Sequence, residues 1–187
     1  LTGQVPEQMK IAKVIPIFKK GDNLDTSNYR PISLLSTLSK ILERIIYKRT
    51  INFLKTHNVL TNSQFGFREN HSTIHALLNF VDKVAHTIDE YSHMIGIFLD
   101  FSKAFDTINH KILLYKLSHY GIRGKALEWF RNYLSNRKQY VSLNQNNSSM
   151  EEIENGVPQG SLLGPLLFIV YINDFSRSSD ILSFILF

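Results

Sequence analysis

Met94-Ile95-Gly96-Ile97-Phe98-Leu99 is an unbroken apolar run, and it ends on a carboxylate, Asp100. Six residues without polar alternation predict a strand buried on both faces, as in the middle of a sheet covered by helices. Sites in such sheets are commonly built at the carboxyl ends of the strands. A carboxylate there can hold a hard divalent cation such as Mg²⁺, which takes few protein ligands and fills its shell from water and phosphates. The same aspartate could equally serve as a turn or helix-cap residue. The run therefore sets two expectations, a central strand over 94–99 and a candidate metal ligand at Asp100.

The segments around it read as α+β. Lys13-Val14-Ile15-Pro16-Ile17-Phe18 predicts a short strand, and Pro16, lacking an N–H, places it at an edge. Lys19-Lys20-Gly21-Asp22-Asn23 is a charged turn, and 28–33 is extended because the residue before Pro31 avoids the α region. Helical spacing of Leu38, Ile41, Leu42, Ile45, Ile46 and Phe53 predicts a helix over about 36–56. A loop over 62–68 leads to a second helix over about 72–89, with Ile74, Leu77, Leu78, Val81, Val84 and Ile88 on one side. Asp106 is read as the N-cap of a helix over 108–119 that ends at Gly121. Another helix over 124–135 carries Leu127, Trp129, Phe130 and Tyr133. A polar hairpin pairs 139–143 with 150–154 around Asn144-Gln145-Asn146-Asn147, a core helix covers 161–175, and 180–187 is read as a final strand. Strands with helices to one side suggest a split βαβ of the ferredoxin-like kind.

Charge and composition narrow the chemistry. The 187 residues contain no cysteine, which excludes a disulfide scaffold, a thiolate zinc site and a cysteine nucleophile, and fits an intracellular protein. The net charge is +5, and its placement is uneven: residues 1–60 hold 10 Lys/Arg against 4 Asp/Glu, the remainder 11 against 12. A basic N-terminal third on a near-neutral body points to a polyanionic partner. The longest strongly apolar stretch, 162–172, is too short to span a bilayer, so no membrane partner is expected. The chain opens on Leu1 and closes on an apolar segment, which leads us to expect a piece of a longer reading frame.

Two further signals carry chemistry. Gly156-Val157-Pro158-Gln159-Gly160-Ser161 places glycines, a proline and an amide just before a helix N-terminus, where backbone N–H groups can face an anion or a base. Lys19, Lys20 and Arg30 stand near extended segments, Arg suited to clamp phosphate bidentately and Lys to act as a point charge. His71 and His75 lack an acidic third ligand at a familiar spacing, so zinc is not expected. No nucleophile elbow, Walker loop or dinucleotide fingerprint is present.

Taken in order, these words resemble the reverse transcriptase domain of non-LTR retrotransposons of the jockey-like kind. The matching segments are Val14-Ile15-Pro16-Ile17-Phe18-Lys19-Lys20-Gly21-Asp22, Asn28-Tyr29-Arg30-Pro31-Ile32-Ser33-Leu34 and Gln64-Phe65-Gly66-Phe67-Arg68. They continue with Phe98-Leu99-Asp100-Phe101-Ser102-Lys103-Ala104-Phe105-Asp106, with Gly156-Val157-Pro158-Gln159-Gly160-Ser161, and with Leu163-Gly164-Pro165-Leu166-Leu167-Phe168 leading to Tyr171-Ile172-Asn173-Asp174. The resemblance implies a right-hand polymerase, with fingers mainly in 1–92, a partial palm mainly in 93–187 and no thumb. It implies RNA-directed DNA synthesis from an RNA template, a DNA primer and deoxynucleoside triphosphates. Two Mg²⁺ ions, or Mn²⁺ in their place, would lie about 3.5–4 Å apart to activate the primer hydroxyl and steady the leaving group.

The residue roles come from the same resemblance. Asp100 corresponds to the first metal-binding aspartate, with the Phe101 carbonyl as a backbone ligand. Phe105 corresponds to an aromatic gate that would clash with a 2′-hydroxyl. Pro158, Gln159 and Gly160 correspond to the loop beneath the incoming nucleotide, and Lys19 or Lys20 with Arg30 to the triphosphate contacts. Gln64, Gly66, Phe67 and Arg68 correspond to a template-binding segment. Asp106 is read as the cap, not a ligand. The family's paired aspartates are expected just after Phe187, so one metal carboxylate of three is present and the chain alone is expected not to polymerise. Two other classes stay open: a non-catalytic nucleic-acid-binding remnant, and a maturase-like or RNA-templated RNA polymerase. The compartment, nucleus or cytoplasm, is not legible.

Overall fold

A computed structural model describes residues 3–144 and 146–187. Gln145, in the expected hairpin tip, lies outside the described residues. The chain runs through β1 (Ile11–Phe18), β2 (Tyr29–Leu34), α1 (Thr37–Thr56), α2 (Thr73–Asp89), α3 (His110–His119), α4 (Gly124–Leu134), β3 (Arg137–Leu143), β4 (Asn146–Asn147), β5 (Glu151–Ile153) and α5 (Leu163–Ile172). The architecture is α+β, as the sequence predicts. Local chemistry sets the helix starts: Ser36 caps α1 by accepting from Ser39 N, and Ser72 caps α2 by accepting from His75 N.

The sheet is mixed, in the order β2-β1-β3-β4, with β5 also on β3. β1 and β2 are antiparallel, from Lys13 opposite Leu34 to Phe18 opposite Tyr29. β1 and β3 are parallel, from Ile11 opposite Lys138 to Val14 opposite Val141. The strand bearing Pro16 is thus interior rather than an edge. The proline is tolerated because the parallel ladder ends at Val14, leaving Pro16 paired on the β2 side alone. β4 and β5 are two halves of one returning strand. Between them Val141 N donates to Ser148 Oγ (2.9 Å), a bulge that shifts the register.

The core is helical and centres on α5. Its Leu163, Leu166, Leu167, Ile169 and Val170 are buried against Leu54 of α1, Leu113 and Leu117 of α3, and Phe130, Tyr133 and Leu134 of α4. A helix apolar on all sides is one meant to be surrounded. Glu43 of α1, 1% exposed, ties the helices together. One carboxylate oxygen accepts from Tyr133 Oη (2.7 Å), and the other accepts from Leu162 N (2.7 Å), the cap position of α5. Burial, more than any neighbour, pushes the Tyr133 phenol far above its ordinary range. Arg137 is fully buried with its guanidinium 4.8 Å from the Tyr133 ring centre, and it donates to Tyr133 O (3.2 Å).

Five sequence expectations are corrected here. The 94–99 run forms no ladder, and Ile95 and Phe98 are 87% and 82% exposed. The final segment, 180–187, is no strand either. Its backbone is spent on the 63–66 loop instead, Phe65 N donating to Leu186 O (2.7 Å) and Leu186 N to Ser63 O (2.8 Å). Without those two strands the ferredoxin-like split βαβ is not formed among the described residues, because an apolar run becomes a sheet strand only where a neighbouring strand takes up its backbone hydrogen bonds. The predicted apolar stripe of α1 packs only in part, through Leu42, Ile46 and Phe53, and that of α2 stays largely exposed. α1 buries Ser39, Glu43, Thr50, Ile51 and Leu54 and exposes Leu38, Ile41 and Ile45, while α2 buries only Ala76. Finally, Asn109, not Asp106, caps α3, accepting from Lys111 N (3.0 Å) and Ile112 N (3.1 Å).

Candidate nucleotide-facing site

The loop between β5 and α5 is held on two sides by backbone hydrogen bonds. On one side it meets the turn before α3. Gly156 N donates to Ile108 O (2.8 Å), Val157 N donates to Phe105 O (2.8 Å), and His110 Nε2 lies 2.7 Å from Gly156 O. On the other side it meets the sheet, where Ser33 N of β2 donates to Gln159 O (2.7 Å). Two glycines make these approaches possible. A Cβ on Gly156 (φ +81°) would stand 2.7 Å from Asp106 Cα, and one on Gly160 (φ +114°) 2.8 Å from Ser33 O. Ser161 closes the loop, its Oγ donating to Pro158 O (2.9 Å) and accepting from Gly164 N (2.9 Å).

This stitching brings several of the sequence-predicted residues together. Phe105 is half-buried, its ring centre 5.2 Å from that of Phe168 in α5 and 5.9 Å from that of Phe67, edge-on. Pro158 is buried, and Gln159 is partly exposed. Gln159 Nε2 donates to both carboxylate oxygens of Asp106, at 3.0 and 3.1 Å. Pro31, Ser33, Asp106, Gln139, Pro158 and Gln159 line part of one cavity of about 470 Å³. Lys19 and Lys20 are exposed in the β1–β2 turn, which Lys19 N closes onto Asn28 O (2.8 Å). Arg30 is exposed on β2 opposite Ile17.

The 64–68 word splits. Gln64 is buried and donates to Gly66 O (3.0 Å), leaving its Oε1 without a partner. Arg68 spends Nη1 on Thr61 O (2.8 Å) and Gln64 O (3.3 Å), and partial burial lowers its pKa. Gly66 packs against the Phe187 backbone, and Phe67, at φ +56°, keeps an exposed ring. Gln64 and Arg68 thus shape the loop, and Phe67 is its outward face.

Asp100 is exposed at the end of the 94–99 run. Phe101 lies edge-on to Phe175, centres 6.2 Å apart, and Phe175 meets Phe184 at 5.4 Å. Among the described residues no three His, Cys, Asp or Glu side chains gather as a metal would require. No helix among them is long and apolar enough to cross a membrane. Sequence reasoning missed Ser33 and His110 as anchors of the loop, and it missed the Asp106–Gln159 contact. The Asn109 cap was the available clue, since it releases Asp106 from that duty.

Comparison with known proteins places the chain in a family. The profile of the family described as reverse transcriptase (RNA-dependent DNA polymerase) matches residues 17–186. Over 173 residues, 92% of this chain, the sequence is 36% identical to the RNA-directed DNA polymerase from mobile element jockey of Drosophila melanogaster. It is 34% identical over 176 residues, 90% of the chain, to the probable RNA-directed DNA polymerase from transposon BS of the same species. It is 33% identical over 180 residues, 96% of the chain, to the jockey polymerase of Drosophila funebris. The chain spans about a fifth of the length of these relatives, 19%, 19% and 20% respectively.

Proposed function

The chain belongs to the reverse transcriptase (RNA-dependent DNA polymerase) family, and on that premise we propose that it supplies the nucleotide-selecting face of a non-LTR retrotransposon polymerase. Residues 1–92 contribute mainly fingers, and 93–187 contribute part of a palm. The observation that carries this reading is the loop 156–161, fastened at once to β2 and to the turn bearing Phe105. A loop so held presents Pro158, Gln159 and Gly160 rigidly beside an aromatic floor, and preorganised polar groups cost nothing to reorganise when a substrate arrives. Phe105, wedged between Phe168 and Phe67, cannot yield to a 2′-hydroxyl. Arg30 with Lys19 or Lys20 binds the triphosphate, and the exposed Phe67 ring offers a stacking surface for the template.

Enzymes of this family use divalent metals, which supply Lewis-acid activation when bound. In this chain Asp100 is the carboxylate we assign to that role, with the Phe101 carbonyl beside it. The described residues bring no second and third acidic group to it, so they do not by themselves make a metal centre. One carboxylate cannot balance two divalent cations, and we therefore expect the 187-residue chain to bind substrates without extending a primer. That same observation favours a second reading, a nucleic-acid-binding module without catalysis.

The test is to titrate the purified chain with an RNA–DNA template–primer and with dGTP or GTP. The expected outcome is template–primer affinity that falls steeply with salt, and a preference for dGTP that Phe105→Ala removes. Unchanged sugar preference in Phe105→Ala would sink the gate. Salt-independent binding, or none, would overturn the assignment of the basic face. Robust Mg²⁺-dependent primer extension would overturn both the inactivity of the isolated chain and the binding-only reading.

A further inference from the structure

We propose that Asp106 is a positioning residue for Gln159. Its carboxylate holds the side-chain amide by the nitrogen end and leaves Oε1 as the acceptor that the loop offers to a bound nucleotide. The inference rests on the reading of Gln159 as a nucleotide-facing group.

The geometry carries it in three steps. First, an ionised carboxylate only accepts hydrogen bonds, so the amide group facing it must be the –NH₂. With Nε2 at 3.0 and 3.1 Å from the two Asp106 oxygens, the orientation of the Gln159 amide is determined by chemistry. Second, the two side chains meet because their backbones are locked together. Asp106 N donates to Lys103 O (2.8 Å), and Asp106 Cα lies where a Gly156 side chain would have to go. Gln159 O is meanwhile fastened to Ser33 N (2.7 Å). Third, Asp106 has no competing duty, since Asn109 caps α3. Both residues open onto the same cavity with Pro31 and Ser33 of β2. A glutamine free in solution samples many rotamers, and one pinned at its amide has already lost that freedom before a ligand binds.

Two measurements on the 187-residue chain test this. In ¹H–¹⁵N spectra the Gln159 amide pair is identified by its absence in Gln159→Met. The expected result is a pair displaced from the position of solvent-exposed glutamine amides that returns to it in Asp106→Ala. A pair already at the solvent position, or unmoved by Asp106→Ala, overturns the contact. In dGTP titrations, Asp106→Ala should weaken binding about 3- to 10-fold, the scale of one ordinary hydrogen bond. Asp106→Glu, which keeps both acceptor oxygens, should recover most of the loss. In a Gln159→Met background Asp106→Ala should have no further effect. An equal effect in both backgrounds would mean that Asp106 acts independently of Gln159, which overturns the proposal. A chain that binds no dGTP defeats the nucleotide reading on which the proposal rests. The spectra need no ligand, so they decide the contact separately.

Discussion

Replacing Glu43 tests whether the core and the candidate site are mechanically one unit. Its carboxylate accepts from Tyr133 Oη and from Leu162 N at 2.7 Å each, and the side chain is 1% exposed. Glu43→Ala strands two donors, each costing about 1–3 kcal/mol when buried without a partner. Relief of the buried carboxylate's own desolvation offsets part of this, so the net loss is about 2–4 kcal/mol, within the range seen for broken buried networks. For a domain of this size that lowers Tm by on the order of 5–15 °C. Glu43→Gln behaves differently. Its Oε1 can still accept from Leu162 N, and the Tyr133 hydroxyl can turn to accept from the new –NH₂. What it loses is one carboxylate oxygen facing the Tyr133 hydroxyl, with no donor left stranded, so the expected cost is smaller, about 1–2 kcal/mol. Trp129, the sole tryptophan, stacks on Tyr133 with ring centres 5.1 Å apart, so urea unfolding can be followed by its fluorescence. Leu162 N is the last backbone group before α5, and its loss should also loosen the 156–161 loop, read as faster amide exchange at Val157. An Ala variant within about 0.5 kcal/mol of the parent, the scatter of ordinary surface substitutions, would refute the reasoning, as would a Gln variant worse than Ala.

Three other outcomes follow from single positions. Gly156→Ala puts a Cβ 2.7 Å from the Asp106 backbone at φ +81°, and Gly124→Ala adds only φ strain at +57° with open space around it. Urea titrations should show the first costing more than about 2 kcal/mol and the second about 1 kcal/mol, and equal costs would contradict the close approach. The Glu69 carboxyl is held below its ordinary value by its hydrogen bond to Lys55. A depressed carboxyl contributes above its unfolded pKa and loses that contribution as pH falls through the folded one. Lys55→Met should move the NMR titration midpoint of Glu69 back up, and an unmoved midpoint would mean the pair is not formed in solution. Limited proteolysis should cut first between 91 and 101, where the backbone is exposed and has no ladder. A first cut inside α5 would contradict the placement of the core.

What could be read from the sequence was local. The helices expected over about 36–56 and 72–89 form as α1 and α2, because hydrophobic spacing at a period of 3.6 is a property of each segment alone. The hairpin built on β3 followed from a polar turn between two short runs. What could not be read depended on partners. Met94 to Leu99 has the composition of a buried strand, yet composition cannot say whether two neighbours arrive, and here 180–187 pairs with the 63–66 loop instead. The α1 stripe misled for a related reason. The face turned inward also carries Glu43, which reaches Tyr133 and Leu162, across more than a hundred residues of chain in the second case, while Leu38, Ile41 and Ile45 stay outside. A polar anchor of that kind leaves no periodic signature.

The Gly156–Ser161 word was legible for a reason that bears on its use. Its glycines are needed at two contacts with backbone: Gly156 against Asp106, Gly160 against Ser33. The two glycines of the word therefore mark where separate parts of the chain bring their main chains together. That is a statement about a junction, and it holds whether or not a ligand is bound. The Gln159 side chain reaches across to Asp106. Movement of β2 relative to the turn before α3 must then strain either the Ser33 N to Gln159 O bond or the contact with Asp106. The loop consequently couples β2 to the turn that carries Phe105.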